Sequence, residues 1–221
     1  VGGAEVWIKR DDQSSRLYGG GKVRKLEWLL ASPRYAGDGP ILSMGGVGSH
    51  HLLALALYLR EQGREAHALT FDQVLTPHVR ATLAGLASTG ARVWSVRTRI
   101  GLPWAGLGYY LWARPPRIGV RMPAGGSNGV GGLGFVEAGL ELGRQIDAGT
   151  LPRPAAIYMT GGSAASSAGL VLGLALAGVS TQLKVVSAVE PVLLAPWSWS
   201  RMVAQVWREL LAAGLHAELA A

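Results

Sequence analysis

A lysine that follows three consecutive glycines is the residue of this sequence best suited to covalent chemistry. The glycines at residues 19–21 free the backbone to adopt positive φ, and a helical pattern opens straight after them. Lys22 therefore lies at a junction between a turn and a helix. Its amine becomes a nucleophile for a carbonyl group if burial, or the neighbouring cations Arg24 and Lys25, lowers its pKa. The segment predicts a covalently bound aldehyde cofactor with an anionic group, and the alternative is a solvated loop before a basic helix.

A second glycine-rich turn has the composition of an anion site. Residues 160–169 read Thr-Gly-Gly-Ser-Ala-Ala-Ser-Ser-Ala-Gly, follow a predicted strand and open a predicted helix. Such a junction presents free backbone N–H groups and the positive end of a helix dipole to a phosphate or carboxylate. The turn matches neither the P-loop pattern nor the dinucleotide fingerprint. The alternative is that its small residues serve only tight packing of helix on strand.

A third turn places a hydroxyl and two imidazoles at the start of a helix. Residues 45–51 read Gly-Gly-Val-Gly-Ser-His-His. Adjacent histidines such as His50 and His51 point in different directions from a helix, so a metal site is not expected. The alternative to a functional site here is that Ser49 caps the helix and His50 is merely packed.

The elements that must position these turns alternate between strand and helix, as in a parallel sheet with right-handed crossovers. Residues 101–116 lack a clean period and are predicted to be a loop with one short helix. The predicted strands cover residues 5–9, 40–44, 66–71, 92–96, 118–122, 155–159 and 183–189. The predicted helices run from the glycines to residue 31 and over residues 49–58, 77–88, 131–146, 166–177 and 201–213.

Composition excludes several classes of protein. With 49% hydrophobic and 16% charged residues and no cysteine, the chain is expected to fold without disulfides or thiolate metal sites. The apolar run at 170–179 is too short to span a bilayer, and no signal peptide is visible, so a cytoplasmic protein is expected. The net charge of +7 is scattered. Aromatic and basic residues interleave at 104–121, but a surface loop explains them as well, so no nucleic-acid partner is expected.

Taken together, these segments resemble the 1-aminocyclopropane-1-carboxylate deaminase and D-cysteine desulfhydrase family, which are pyridoxal-phosphate enzymes of the tryptophan-synthase β type. The resemblance spans most of the chain in order. It rests on residues 9–12, 19–27, 45–51 and 160–169, with support from 75–80, 123–127 and 131–135.

The resemblance implies an α/β fold with two open, twisted, mainly parallel sheets flanked by helices. It implies a large cofactor-binding domain formed by residues 1–35 and 118–221, and a small α/β domain formed by residues 36–117. Pyridoxal 5'-phosphate is the implied cofactor, a small amino acid the implied substrate and a homodimer the implied assembly.

Individual roles follow from the same resemblance. Lys22 falls where the lysine of the family forms a Schiff base with the cofactor, and Lys25 where a second lysine approaches the phosphate. Ser49 matches a serine beside the substrate, and His50 stands where an asparagine usually contacts the ring oxygen of the cofactor. The residues that fall on the phosphate loop are Gly162, Ser163, Ala164, Ala165 and Ser166.

Several positions depart from the family pattern. Gly21 and His50 each replace a usual asparagine, and Ala164 and Ala165 stand where glycines are common. A Cβ at those two positions would hinder the approach of the backbone to a phosphate if φ is positive there. The chain also ends soon after residues 187–191, so the C-terminal part of the family fold is expected to be missing. That part carries the group facing the pyridine nitrogen and a catalytic tyrosine.

The function implied by the resemblance is an α,β-elimination like that of D-cysteine desulfhydrase, which gives pyruvate, ammonia and sulfide. The adjacent His50 and His51 resemble the desulfhydrase more than the deaminase. Opening of the cyclopropane ring remains an alternative, as do an inactive homologue that binds the cofactor and a basic nucleic-acid binder.

Overall fold

Two parallel sheets with helices packed against them make up the fold. The computed structural model describes Gly3 and residues 5–113, 118–188 and 195–215. The strands are β1 (Ile41–Gly46), β2 (Ala66–Phe71), β3 (Arg92–Val96), β4 (Val120–Arg121), β5 (Ala156–Gly161) and β6 (Gln182–Ser187). The helices are α1 (Gly21–Ala31), α2 (His50–Glu61), α3 (Pro77–Ser88), α4 (Leu102–Ala113), α5 (Gly129–Asp147), α6 (Ala165–Leu176) and α7 (Pro196–Ala212).

The first sheet has the order β3-β2-β1-β4, and all of its pairs are parallel. Helices α1 and α2 bury Leu26, Leu29, Leu52 and Leu55 against this sheet. Because the carboxyl ends of parallel strands meet at one edge, the turns after β1 and β2 lie side by side. The amide N–H of Gly48, after β1, donates to Oε1 of Gln73, after β2, over 3.0 Å.

The second sheet pairs β5 with β6 in parallel, with Ala156 opposite Gln182 at one end and Gly161 opposite Ser187 at the other. Helices α5 and α6 cover it and bury Phe135, Leu142 and Leu170 in a second core. This pairing of strand, crossover helix and strand agrees with the predicted α/β class, which is confirmed. The predicted domain boundaries stay a prediction; β4 pairs with β1 of the first sheet.

Helix α5 reaches its neighbours through glycines. A Cβ on Gly134 would lie 1.9 Å from the carbonyl oxygen of Arg24 in α1, and one on Gly169 of α6 would lie 2.1 Å from that of Gly132 in α5. A side chain at either position would collide with backbone. The glycines of residues 131–134 and 169 therefore let α1, α5 and α6 approach closely enough to bring the turns at their amino ends together.

Two elements of the structure differ from the sequence prediction. The strand predicted at residues 5–9 pairs with no strand of the described chain, and Val6 and Ile8 stay 81% and 77% exposed. The segment 101–116, predicted to be a loop with one short helix, instead contains the twelve-residue helix α4 over residues 102–113.

The apolar side chains of α4 lie on all sides of the helix, so it has no single apolar face and its sequence shows no helical period. Its position is set by tertiary contacts. Tyr109 is fully buried, its ring centroid lies 4.8 Å from that of Trp94 on β3, and its hydroxyl accepts the amide N–H of Gly119 over 2.6 Å.

Helix ends also shift. Helix α7 begins at Pro196, where the fixed φ of proline suits a first turn, and not at residue 201 as predicted. Of the strand predicted at residues 183–189, the described part is β6, and residue 189 lies outside the described residues. Within the described ranges, the structure has no helix of the length and apolarity that crossing a bilayer requires.

Candidate active site

Two lysine side chains from the first turns of α1 form the centre of the candidate site. Gly20, with φ of 114°, leads the chain into the helix, and Lys22 and Lys25 follow at a spacing of three residues, which places them on one face. Lys22 is partly buried and Lys25 is only 1% exposed. Burial lowers the pKa of the Lys22 amine. Burial, together with the nearby charge of Lys22, lowers the pKa of Lys25 to about 7.

Hydroxyl groups from two other parts of the chain meet the second lysine. The Lys25 amine donates to Oγ of Ser127 over 3.2 Å. The Ser127 hydroxyl in turn contacts the hydroxyl of Ser163, in the turn between β5 and α6. This chain of contacts brings the predicted phosphate turn to the lysine helix. Ser127 belongs to a segment that carried the resemblance, but it was not among the predicted site residues.

Two glycines hold the segment before Ser127 against the lysines. Gly125 and Gly126 have φ of 64° and 63°, a region that side chains disfavour. A Cβ on Gly125 would lie 3.5 Å from Nζ of Lys22, and one on Gly126 would lie 2.8 Å from Leu29. Two successive glycines before a serine, in a loop leading to a helix, were the sequence signal that could have identified Ser127.

The predicted phosphate turn has an ordinary backbone at its alanines. Ala164 has φ of −53° and ψ of −14°, and no described residue other than glycine has positive φ. The hindrance expected from a Cβ at Ala164 and Ala165 therefore does not arise; both side chains are buried on the protein side, 2% and 0% exposed. No side chain caps the start of α6, so the backbone N–H groups after Gly162 and Ser163 are not used by a cap.

Ser167, which follows Ser166 in the first turn of α6, has a structural role. Oγ of Ser167 donates to the carbonyl of Ala164 over 3.0 Å and accepts the indole N–H of Trp199 over 3.2 Å. Ser167 therefore connects α6 to α7.

The turn after β1 places Ser49 and His50 at the start of α2. Ser49 accepts the amide N–H of Leu52 over 3.3 Å and so caps the helix. His50 is exposed, and its ring contacts the Tyr18 hydroxyl through Nδ1 and lies 2.6 Å from Nε2 of His78 through its own Nε2. Partial desolvation lowers the pKa of His50, and the charges of His78 and Lys22 add to the effect.

The next histidine is buried beside the lysines. His51 is 2% exposed, and its Nε2 lies 3.0 Å from Oγ of Ser43, which donates to the carbonyl of Met122 over 3.2 Å. If the one hydroxyl proton of Ser43 is donated to that carbonyl, Nε2 of His51 carries the ring proton and Nδ1 is an acceptor. Nδ1 has no hydrogen-bond partner among the described residues. Burial, with the charges of Lys22 and Lys25, lowers the pKa of His51 to about 3.

Arg24 does not face the lysines. Its guanidinium donates to Asp11 over 2.8 Å and to Glu141 of α5 over 2.9 Å, and these carboxylates raise its pKa. Arg24 thus ties the loop before α1 to α5. The sequence allows two causes for a lowered pKa of Lys22, burial and the neighbouring cations, and burial is the one that the structure supports.

Comparison with known proteins identifies relatives of this chain. No family model matches the chain. Nocardicin C-9' epimerase of Nocardia uniformis subsp. tsuyamanensis is 34% identical over 189 residues, which are 83% of this chain and 57% of that protein. D-cysteine desulfhydrase of Klebsiella pneumoniae (strain 342) is 30% identical over 178 residues, 78% of this chain and 53% of that protein.

The chain thus spans just over half the length of these curated relatives. A crystal structure of an ACC deaminase homologue covers 92% of this chain and 61% of its own, with a TM-score of 0.74 and 23% identity, and supports the fold.

The parallel sheets flanked by helices are of the tryptophan-synthase β type, and the homologues place the chain in the fold-type II class of pyridoxal-phosphate proteins. The chain belongs to the family of 1-aminocyclopropane-1-carboxylate deaminase and D-cysteine desulfhydrase within that class, as the resemblance predicted.

The structure brings some predicted residues together and leaves others apart. Lys25 and the turn containing Ser163 meet through Ser127, and Lys22 is near enough to Lys25 and His50 for its charge to act on both. Their roles toward a cofactor or substrate, like those of Ser49, Gly162, Ala164, Ala165 and Ser166, stay predictions. The sequence reasoning missed Ser127, His78 and Tyr18, since their partners lie far away in the chain.

Proposed function

We propose that this chain holds pyridoxal phosphate through Lys22, and that the whole protein performs an elimination like that of D-cysteine desulfhydrase. The proposal rests on the amines of two neighbouring lysines, the partly buried Lys22 and the fully buried Lys25. No carboxylate in the described residues forms an ion pair with either amine, and the Lys25 amine instead meets the hydroxyls that lead to Ser163. The charged form of either amine is unfavourable without a counter-ion, and an anionic or carbonyl-bearing ligand would remove this cost.

The residues of the site fit such a cofactor. Lys22 would form the covalent link to the aldehyde, because its lowered pKa favours the free amine that attacks a carbonyl. The turn at 162–166 would receive the phosphate on its backbone N–H groups, with Lys25, Ser127 and Ser163 supplying charge and hydroxyl donors. When bound, the cofactor would withdraw electrons from the α-carbon of an amino acid.

The Lys22 amine is the group proposed to move the α-proton. Once free, it would accept that proton at Nζ, and the partial burial that lowers its pKa favours the unprotonated amine. Loss of a β-substituent would then yield pyruvate, ammonia and, from D-cysteine, sulfide. The amino-acid substrate, the homodimer, the cytoplasmic location and the lack of a nucleic-acid partner stay predictions.

One further activity has a specific observation in its favour. The relative with 34% identity is named nocardicin C-9' epimerase. Epimerisation begins with the same removal of a proton next to nitrogen, so the same lysine would serve that step, and a donor on the other face would return a proton there. Opening of a cyclopropane amino acid and binding of the cofactor without turnover remain alternatives.

Trapping of the cofactor on Lys22 tests the proposal. The purified chain is mixed with pyridoxal phosphate, its visible spectrum is recorded, and the mixture is reduced with borohydride and mapped by peptide mass. We expect the label on Lys22, and its loss in Lys22→Ala. The matched control is Lys184→Ala, which removes an exposed lysine of β6.

Each result decides between the candidates. A spectrum and label that survive in Lys22→Ala remove Lys22 from the role, and a chain without label contradicts the proposal. A labelled chain that releases pyruvate from D-cysteine supports the elimination. A labelled chain that only changes the configuration of an amino acid supports the epimerase, and one that turns over nothing supports the inactive homologue.

A further inference from the structure

Tyr18, His50 and His78, of which only His50 has a role implied by the resemblance, form a continuous chain of contacts. The Tyr18 hydroxyl contacts Nδ1 of His50, and Nε2 of His50 lies 2.6 Å from Nε2 of His78. The centroids of the two imidazole rings are 4.7 Å apart, and the rings meet through these nitrogens. Tyr18 precedes the glycine run, His50 starts α2 and His78 lies in the first turn of α3.

The short contact between the imidazoles requires a single proton between them. Two N–H groups, or two lone pairs, would repel each other at that distance. Two arrangements of protons satisfy the chain. In the first, Tyr18 donates to Nδ1 of His50, whose Nε2–H donates to His78. In the second, Nε2–H of His78 donates to His50, whose Nδ1–H donates to the oxygen of Tyr18.

Exposure changes along the chain of contacts. His78 and His50 are both exposed to solvent, whereas Tyr18 is partly buried, and burial raises the pKa of its hydroxyl. The backbone at Tyr18 is held in place, because its carbonyl accepts the hydroxyl of Tyr58 in α2 over 2.9 Å. The titratable groups that act on His50 are Tyr18 from the loop, Lys22 from α1 and His78 from α3. The chain of contacts therefore leads from two exposed imidazoles to a partly buried hydroxyl, and its middle member, His50, is near enough to Lys22 for that charge to act on it.

We propose that Tyr18, His50 and His78 form a proton relay from solvent to the site of Lys22, with His78 as its entry point. The inference rests on the proposed function, for which it supplies a proton donor in addition to the lysine. His78 is a positioning residue here, since it acts through His50 and Tyr18.

One passage along the relay changes the second arrangement into the first. Solvent gives a proton to Nδ1 of His78, while the Nε2 proton of His78 moves to Nε2 of His50. The Nδ1 proton of His50 moves to the oxygen of Tyr18, and Tyr18 releases its own hydroxyl proton toward the site. Each residue that loses a proton gains one, no electrons are transferred, and one proton passes from solvent to the site.

The first test uses the chain without cofactor and so does not depend on the proposed function. The imidazole signals of His50 are followed by NMR as pH is varied, in the native chain and in His78→Gln. We expect the pKa of His50 to rise toward its ordinary value in the variant, because the neighbouring imidazole is removed. The matched control, Arg80→Gln on the same helix, should leave it unchanged. An unaltered His50 titration in His78→Gln overturns the relay.

The second test uses the chain loaded with pyridoxal phosphate in deuterated water. D-alanine is the probe, since it has no leaving group and reports only exchange of its α-proton for a solvent deuteron. We expect His78→Gln and Tyr18→Phe to slow the exchange about 100-fold. Added imidazole should restore the rate in His78→Gln, where a solvent-side member is missing, but not in Tyr18→Phe.

The outcomes separate the relay from the proposed function. Exchange in His78→Gln at the native rate, or a loss that imidazole does not restore, overturns the relay while Lys22 and the cofactor keep their roles. Absence of exchange in a labelled native chain counts against the proposed function, and the NMR titration then decides whether His50 and His78 share a proton.

Discussion

At the scale of single residues, the site depends on a lysine that is buried without a carboxylate partner. Lys25 is 1% exposed, its amine is held by a serine hydroxyl, and its pKa falls to about 7. Such a residue makes the chain without cofactor less stable, because the ammonium ion loses its hydration and gains no opposite charge. A phosphate in the neighbouring turn would supply that charge. The same residue thus links stability to cofactor binding.

The sign of this effect predicts a stability that rises with pH. Between a folded pKa of about 7 and the ordinary value of 10.5, the unfolded chain binds a proton that the folded chain does not. In the absence of cofactor, we expect the free energy of unfolding by urea to increase from about pH 7 to about pH 9.5, by on the order of a few kcal/mol. Lys25→Met should flatten this slope and stabilise the chain near neutral pH.

An exposed lysine gives the comparison for this measurement. Lys184→Met, on the surface of β6, should keep the slope of the native chain. If Lys25→Met keeps the slope as well, the amine of Lys25 is not the buried base that its surroundings indicate. Lys22, whose pKa burial also lowers, contributes with the same sign and remains in both variants.

At the scale of elements, α5 is the helix on which the other helices converge. Three of its glycines each contact a different helix: Gly134 contacts α1, Gly132 contacts α7 and Gly139 contacts α6. At each of these positions an added Cβ would overlap atoms of the neighbouring helix. This close approach explains why a helix rich in glycine, a poor helix former, stays helical over 19 residues. Packing compensates for the weak propensity.

A single added methyl group tests this packing. A Cβ on Gly139 would lie 2.6 Å from the backbone carbonyl carbon of Gly173, which cannot move without shifting α6. We expect Gly139→Ala to lower the free energy of unfolding by about 1–3 kcal/mol. Urea denaturation at fixed pH measures it.

The control glycine lies in a helix with free space. A Cβ added to Gly108 of α4 would have no atom of another residue within 4 Å beyond its own helix backbone and chain neighbours. Gly108→Ala should be neutral or stabilise the chain by up to about 1 kcal/mol, as helix propensity dictates. Equal destabilisation of both variants would mean that the approach of α5 to α6 is not what Gly139 provides.

At the scale of the whole molecule, three distant parts of the chain build one site. The lysines come from α1, Ser127 from the loop before α5 and Ser163 from the turn after β5. A ligand that touches all three must hold together segments whose contacts are otherwise made by α5. Ligand binding should therefore stabilise the fold as a unit.

A thermal melt with and without cofactor measures this coupling. At a pyridoxal-phosphate concentration about 100 times Kd, mass action adds about 2.7 kcal/mol, which corresponds to a rise in Tm of roughly 5–10 °C for a chain of this size. Pyridoxal without its phosphate is the matched control ligand and should give a smaller rise. Equal shifts from the two ligands would remove the turn at residues 162–166 from phosphate binding.

Sequence alone was enough to predict the alternation of strand and helix, the parallel class of sheet and the three glycine turns with Lys22 after the first. These features depend on residues near one another in the chain: hydrophobic period, a cap such as Ser49, and glycine where the backbone must turn. The resemblance carried by the same turns identified the family. Local signals of this kind survive in any tertiary context.

Which side chains meet became visible only in the folded chain. Lys25 and Ser127 are 102 residues apart, Ser127 and Ser163 are 36 apart, and His50 and His78 are 28 apart, so no local pattern predicts their contacts. Folding also turned Arg24 toward Asp11 and Glu141, and formed α4 around the buried Tyr109. Charge pairing and burial depend on what surrounds a residue in space, and that is settled when the sheets and helices pack.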